Sequence, residues 1–164
     1  MKNKFLTMLL VAMVAIVVSA CGQSEEKKTA KYEEPELSAK EMIDKMLDMV
    51  EQPALMELQP DQVKDFYTLN TDKIEELSIR IPMMNIKTNE IAIFKVKDEK
   101  DVAEVEDAVK ARAEAVQKQF ETYLPDQYEN AKNYKVVTKG KYVLFVISDQ
   151  ADEIVKIYHS FFEK

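Results

Sequence analysis

The chain has 164 residues, a formal net charge of −7, one cysteine and one histidine. That length accommodates one ordinary domain. The lone thiol excludes an internal disulfide, the scarcity of soft ligands argues against zinc, and the acidic balance disfavours nucleic acid as a partner.

The first element reads as an export signal. Lys2 and Lys4 give a positive start, and residues 5–18 form an apolar run of 14. A bilayer span needs about 20 such residues, so the run is too short to cross. It leads into Val18-Ser19-Ala20-Cys21, the pattern read by a lipoprotein signal peptidase. Residues 1–20 are therefore expected to be removed between Ala20 and Cys21. Cys21 becomes the new N-terminus and carries a covalent diacylglycerol, and no other cofactor is expected. Two acyl chains hold a protein stably on a membrane where one holds it only marginally. Loss of two lysines and no acid takes the mature charge to −9. An acidic protein is repelled by an anionic surface, so the lipid must supply the attachment. The expected location is the extracytoplasmic face of the cell membrane.

Residues 21–37 are polar and charged with few apolar side chains. Such a segment cannot bury enough surface to offset the entropy of ordering, and it reads as a tether. The remaining 38–164 read as a single domain. Ser38 and Glu41 form a capping box opening a helix over 38–51. Ile43, Leu47 and Val50 share one face, and Pro53 stops it. A short helix over 61–69 follows, carrying Phe66 and Tyr67.

The period then changes to two. Leu77, Ile79 and Ile81 alternate with Ser78 and Arg80, and residues 91–96 form a second strand, apolar on both faces until Lys95. Thr88 and Asn89 are turn residues between them, and Pro82 suggests an edge or a bulge. Asp98 or Asp101 opens a long helix to Leu124 with the stripe Val102, Val105, Val109, Ala113, Val116 and Phe120, closed by Pro125. Strands over 134–138 and 142–148 meet at Lys139-Gly140, a hairpin signal with a glycine suited to positive φ. The second of them is apolar on both faces and is placed centrally. Asp149 would cap a last helix carrying Ile154, Val155, Tyr158 and Phe162. The fold class expected is α+β. Two hairpin–helix (ββα) units form a four-stranded, mainly antiparallel sheet with their two helices on one face, preceded by one or two N-terminal helices that cover an edge or the far side.

Little in this chain is equipped for catalysis. His159 and Ser160 are neighbours on a helix and point about 100° apart, so they cannot face one another. Asp98/Asp101 and Asp149/Asp152 fall where strands hand over to helices, and capping explains them better than calcium. No metal site is expected. Arg112, among alanines on the long helix, is placed to pair with Glu90 at the start of the second strand, as a helix-to-sheet ion pair or as a ligand-orienting device. Phe120, Tyr123, Leu124, Pro125 and Tyr128 crowd the exit of the long helix, where rigid amphipathic rings either close the core or floor a groove. Glu90, Arg112, Tyr123 and Tyr128 are thus the candidate binding surface. Met42, Met46, Met49, Met83 and Met84 are read mainly as core.

The strings Asn89-Glu90-Ile91-Ala92-Ile93-Phe94-Lys95-Val96, Phe120-Glu121-Thr122-Tyr123-Leu124-Pro125 and Gly140-Lys141-Tyr142-Val143-Leu144-Phe145-Val146, with Arg112, have a familiar look. This pattern, over 38–164 together with the lipobox, resembles the bacterial lipoprotein family carrying domain of unknown function 4358. The resemblance implies export and lipid attachment in Gram-positive bacteria, and it implies no known reaction, ligand or catalytic residue. The function expected is that of a membrane-anchored, non-catalytic binding or accessory domain acting on a cell-envelope protein or peptide. The alternative is a small-molecule-binding lipoprotein serving a transporter or sensor.

Overall fold

The computed structural model describes residues 32–163; the expected signal peptide, Cys21 and most of the expected tether lie outside them. Five helices and five strands follow in chain order: α1 (Ala39–Met49), β1 (Leu55–Glu57), α2 (Val63–Phe66), β2 (Ile74–Pro82), β3 (Glu90–Val96), α3 (Val102–Phe120), α4 (Pro125–Lys132), β4 (Lys135–Lys139), β5 (Tyr142–Ile147) and α5 (Ala151–Ser160). The strands make one sheet in the order β1-β2-β3-β5-β4, antiparallel at every pairing. The α+β class holds, with five strands in place of four.

The helices of the two hairpin–helix units, α3 and α5, lie on opposite faces of the sheet, which corrects their placement on one face; α1 covers the face opposite α3. Ala92, Phe94 and Val96 of β3 and Val143, Phe145 and Ile147 of β5 pack with Val105, Val109, Ala113, Val116 and Phe120 of α3. The alternate residues, Ile91, Ile93, Leu144 and Val146, pack against α1 and α5. Successive strand residues point to opposite faces, so strands apolar throughout need a layer on each side. A single helical layer would leave one face in water. β5 lies between β3 and β4, as its double-sided hydrophobicity predicted.

The local signals mostly work. Ser38 and Glu41 form the reciprocal capping box of α1, and Gly140 turns the β4–β5 hairpin at φ +53°. Asp98 accepts from the Lys100 amide in the 3-10 turn before α3. Asp149 does not cap α5; its neighbour Ser148 does the local work, Oγ accepting from the Gln150 amide at 3.0 Å. Pro125 starts α4 where it was expected only to close the preceding helix, because a proline is tolerated in the first helical turn. Pro82 ends β2, which is covered by β1 and so is no edge. The bulge lies at the other end of β2, between Ile74 and Glu76. It sets Glu75 and Glu76 together against Lys95, whose Nζ is 2.9 and 3.6 Å from them.

Residues 32–37, read from composition as the end of the tether, run against the α1/α5 side. Tyr32 and Leu37 are partly buried there. The Tyr32 hydroxyl accepts from the Lys141 amide, and its ring lies over Gly140 and meets Phe162 edge-on at 6.1 Å. The sheet's two edges differ: β1 is only three residues long, and β4 begins and ends with lysine.

Candidate functional site

Buried polar side chains gather where β3 begins and β5 ends. Thr88, Asn89 and Glu90 are consecutive and all buried, as are Gln127 and Ser148. Each member of the triplet is tied to a different element. Thr88 gives its amide and hydroxyl to Gln127 Oε1 of α4 at 3.1 and 3.3 Å. Asn89 Nδ2 donates to Gln52 Oε1, just past α1, at 3.0 Å. Glu90 reaches α3.

The Glu90–Arg112 pair foreseen from sequence is present. Arg112 Nη2 lies 2.7 Å from Glu90 Oε2, and its Nε lies 3.1 Å from both carboxylate oxygens. The Glu90 side chain is only 1% exposed. Such a charge needs its partners, because an unpaired buried carboxylate is costly. Tyr67 is the partner that the sequence did not disclose: its hydroxyl donates to Glu90 Oε1. Burial, and then the adjacent Glu90 charge, push that hydroxyl well above the usual tyrosine pKa. Burial works against the Arg112 charge, but the hydrogen bonds and charge of Glu90 outweigh it and hold its pKa above the ordinary arginine value. The Phe66 ring lies under the guanidinium, 5.0 Å from its centre, adding a cation–π contact. The one signal for Tyr67 was its place beside Phe66 on the short helix.

Two cavities flank the triplet. The first, about 290 Å³, has Phe66, Ile81, Val116 and Phe120 in its walls and includes Glu90 and Arg112 in its lining. Met83 and Met84 also line it and are 63% and 55% exposed. The core reading therefore fits Met42 and Met46, which are buried, and not Met49, Met83 or Met84. The second cavity, about 610 Å³, is polar and has Gln52, Asn89, Asp126, Gln127, Asp149 and Gln150 in its lining. Lys87 lines both.

The structure brings Glu90 and Arg112 together and sets the two tyrosines apart from them. Tyr123 is 63% exposed just past α3. Tyr128 is partly buried against the α3-side core, with Lys132 Nζ 5.1 Å from its ring centre. Neither lines either cavity. Phe120 is buried and Leu124 packs on the same core, so closure of the α3 layer accounts for most of the aromatic group. Thr88 and Asn89 were legible only as turn residues; their burial and their partners, 39 and 37 positions away, leave no local signal.

Among the described residues no group of three or more His, Cys, Asp or Glu is placed to hold a metal ion. No described helix is long and apolar enough to cross a membrane. Comparison with curated proteins and with solved structures gives no match. A family model, described as Domain of unknown function (DUF4358), matches residues 48–148, which include Tyr67, Glu90, Arg112, both tyrosines of the α3 exit and the whole sheet from β1 to β5. With more than half of its length matched, the chain belongs to the DUF4358 family.

Proposed function

We propose that the protein is a lipid-anchored, extracytoplasmic, non-catalytic binding domain that engages a cell-envelope protein or peptide. The observation that carries the binding half is the pair of exposed methionines, Met83 and Met84, at an apolar cavity of about 290 Å³. Flexible, polarisable thioethers adapt to an inserted side chain, and a cavity of this size takes one large apolar residue. The non-catalytic half is supported by the state of the only charged pair in that cavity. Glu90 and Arg112 hydrogen-bond each other and Glu90 also accepts from Tyr67, so the pair is engaged within the fold.

The anchor is tested by labelled fatty acid: Cys21→Ala is expected to abolish incorporation, and equal labelling of that variant would refute attachment there. The surface is tested by selecting peptides from a displayed library on the full mature chain in lipid nanodiscs. Met84→Asp is expected to weaken selected peptides by about 10-fold or more, whereas Tyr123→Ala leaves them unchanged. The reverse pattern would move the surface to the exit of α3.

A second reading, a small-molecule receptor serving a transporter or sensor, is supported by the larger polar groove.

A further inference from the structure

We propose that the polar groove at the Asn89 end of the sheet binds a short neutral saccharide. The inference gives a ligand class to the second reading above and depends neither on lipid attachment nor on the methionine-rimmed cavity. At about 610 Å³ the groove falls in the size range of small-ligand sites, but its chemistry differs from theirs. Pro53 is its only apolar lining residue. Side-chain amides dominate the rest, and an amide, like a hydroxyl, both donates and accepts. A neighbouring cavity of about 420 Å³ shares Asp126, Asn130 and Asp149 with it, so the polar surface continues past one ring-sized ligand.

Of the polar atoms that the fold leaves open in the groove, two are positioned by one common residue, Gln52. Asn89 is 5% exposed, and its Nδ2 is fixed by Gln52. Its Oδ1 takes part in no hydrogen bond among the described residues. Gln52 is itself locked, since Oε1 also accepts from Ser148 Oγ at 3.0 Å and Nε2 donates to the Glu51 carbonyl and to Gln150 Oε1. That last contact orients Gln150, whose Nε2 donates to no described residue. One open acceptor and one open donor, both held by a common residue, suit a group that can donate and accept. A hydroxyl does so. The exposed carboxylates of Asp126 and Asp149 form no ion pair among the described residues and accept strongly from hydroxyls.

Other ligand classes fit less well. A phosphate-bearing ligand would meet Glu51, Asp126 and Asp149 with only Lys87 to offset them. An extended peptide needs pockets for alternate side chains, which a groove with one proline does not provide. A polyamine donates only, and would leave the Gln150 amide donor unmatched.

The test uses the full chain purified in detergent, titrated separately with cellobiose, N,N′-diacetylchitobiose, spermidine and triglycine. Calorimetry and the side-chain amide resonances of Asn89 and Gln150 are followed together. At least one disaccharide is expected to bind and to shift both resonances. Asp149→Ala, at an exposed position, is expected to weaken it by about 10-fold, the loss of one charge-assisted hydrogen bond. Met84→Asp is expected to leave it unchanged, which separates this site from the peptide surface. Binding of spermidine or triglycine without either disaccharide, no binding at all, or disaccharide affinity untouched by both Asp149→Ala and Asp126→Ala would overturn the proposal.

Discussion

Arg112 holds both oxygens of the Glu90 carboxylate, and Tyr67 takes what remains of Oε1. The three side chains come from α3, β3 and the end of α2, so one buried charge ties three elements together. Arg112→Met should destabilise the fold by about 3–5 kcal/mol, because it leaves that charge uncompensated. Adding Glu90→Met should recover most of the loss, short of about 1–3 kcal/mol for a Tyr67 hydroxyl without an acceptor. Adding Tyr67→Phe should remove the residue of the effect. Urea titration of the series checks this, and a double variant as weak as Arg112→Met would show that the pair does more than balance itself.

Gly140→Ala meets two obstacles. The left-handed backbone costs about 1–2 kcal/mol with a side chain, and the new methyl would collide with the Tyr32 ring. The substitution should therefore cost less in a Tyr32→Ala background than in the native chain. A double-mutant cycle by thermal unfolding measures the difference. Equal costs in both backgrounds would show that the ring yields freely.

Tyr158 is fully buried and its hydroxyl has no hydrogen-bond partner among the described residues. Tyr158→Phe should raise stability at neutral pH by about 1 kcal/mol, the desolvation of an orphan hydroxyl removed.

The same residue bears on alkaline stability. Burial raises the pKa of Tyr158, and burial followed by the Glu90 charge raises that of Tyr67. A tyrosine raised in the folded state keeps its proton while the unfolded chain loses it. The associated stability is fully present below about pH 10 and falls as pH rises further, by at most about 1.4 kcal/mol per pH unit for each. Denaturation midpoints from pH 8 upward should drop more gently in Tyr158→Phe.

Gln127→Ala should cost about 1–3 kcal/mol, since the buried Thr88 amide loses its acceptor. Faster hydrogen exchange at Thr88 is the direct readout.

How far such features could be foreseen depended on whether their cause is local. The Ser38–Glu41 box, the hairpin at Gly140 and the double-sided strand β5 were legible because capping, positive φ and strand alternation act over a few residues. The placement of α3 and α5 on opposite faces was not. Strands apolar on both sides announce that both must be covered, but not which helix covers which. β1 is three residues long, too short for any period to register. Of the site, the Glu90–Arg112 pair was legible because an arginine among alanines stands out. The amides of Gln52, Asn89 and Gln127 did not, since their residue types suit a turn or a surface equally well and only the packing buries two of them.

The two edges of the sheet bear on what happens when copies of the molecule meet at high concentration. Neighbouring copies in such crowding could zip their sheets together through unpaired backbone. A three-residue β1 offers too short a template, and Lys135 and Lys139 would bring like charges together along any β4–β4 seam. Neither edge is therefore suited to sheet-to-sheet pairing between copies.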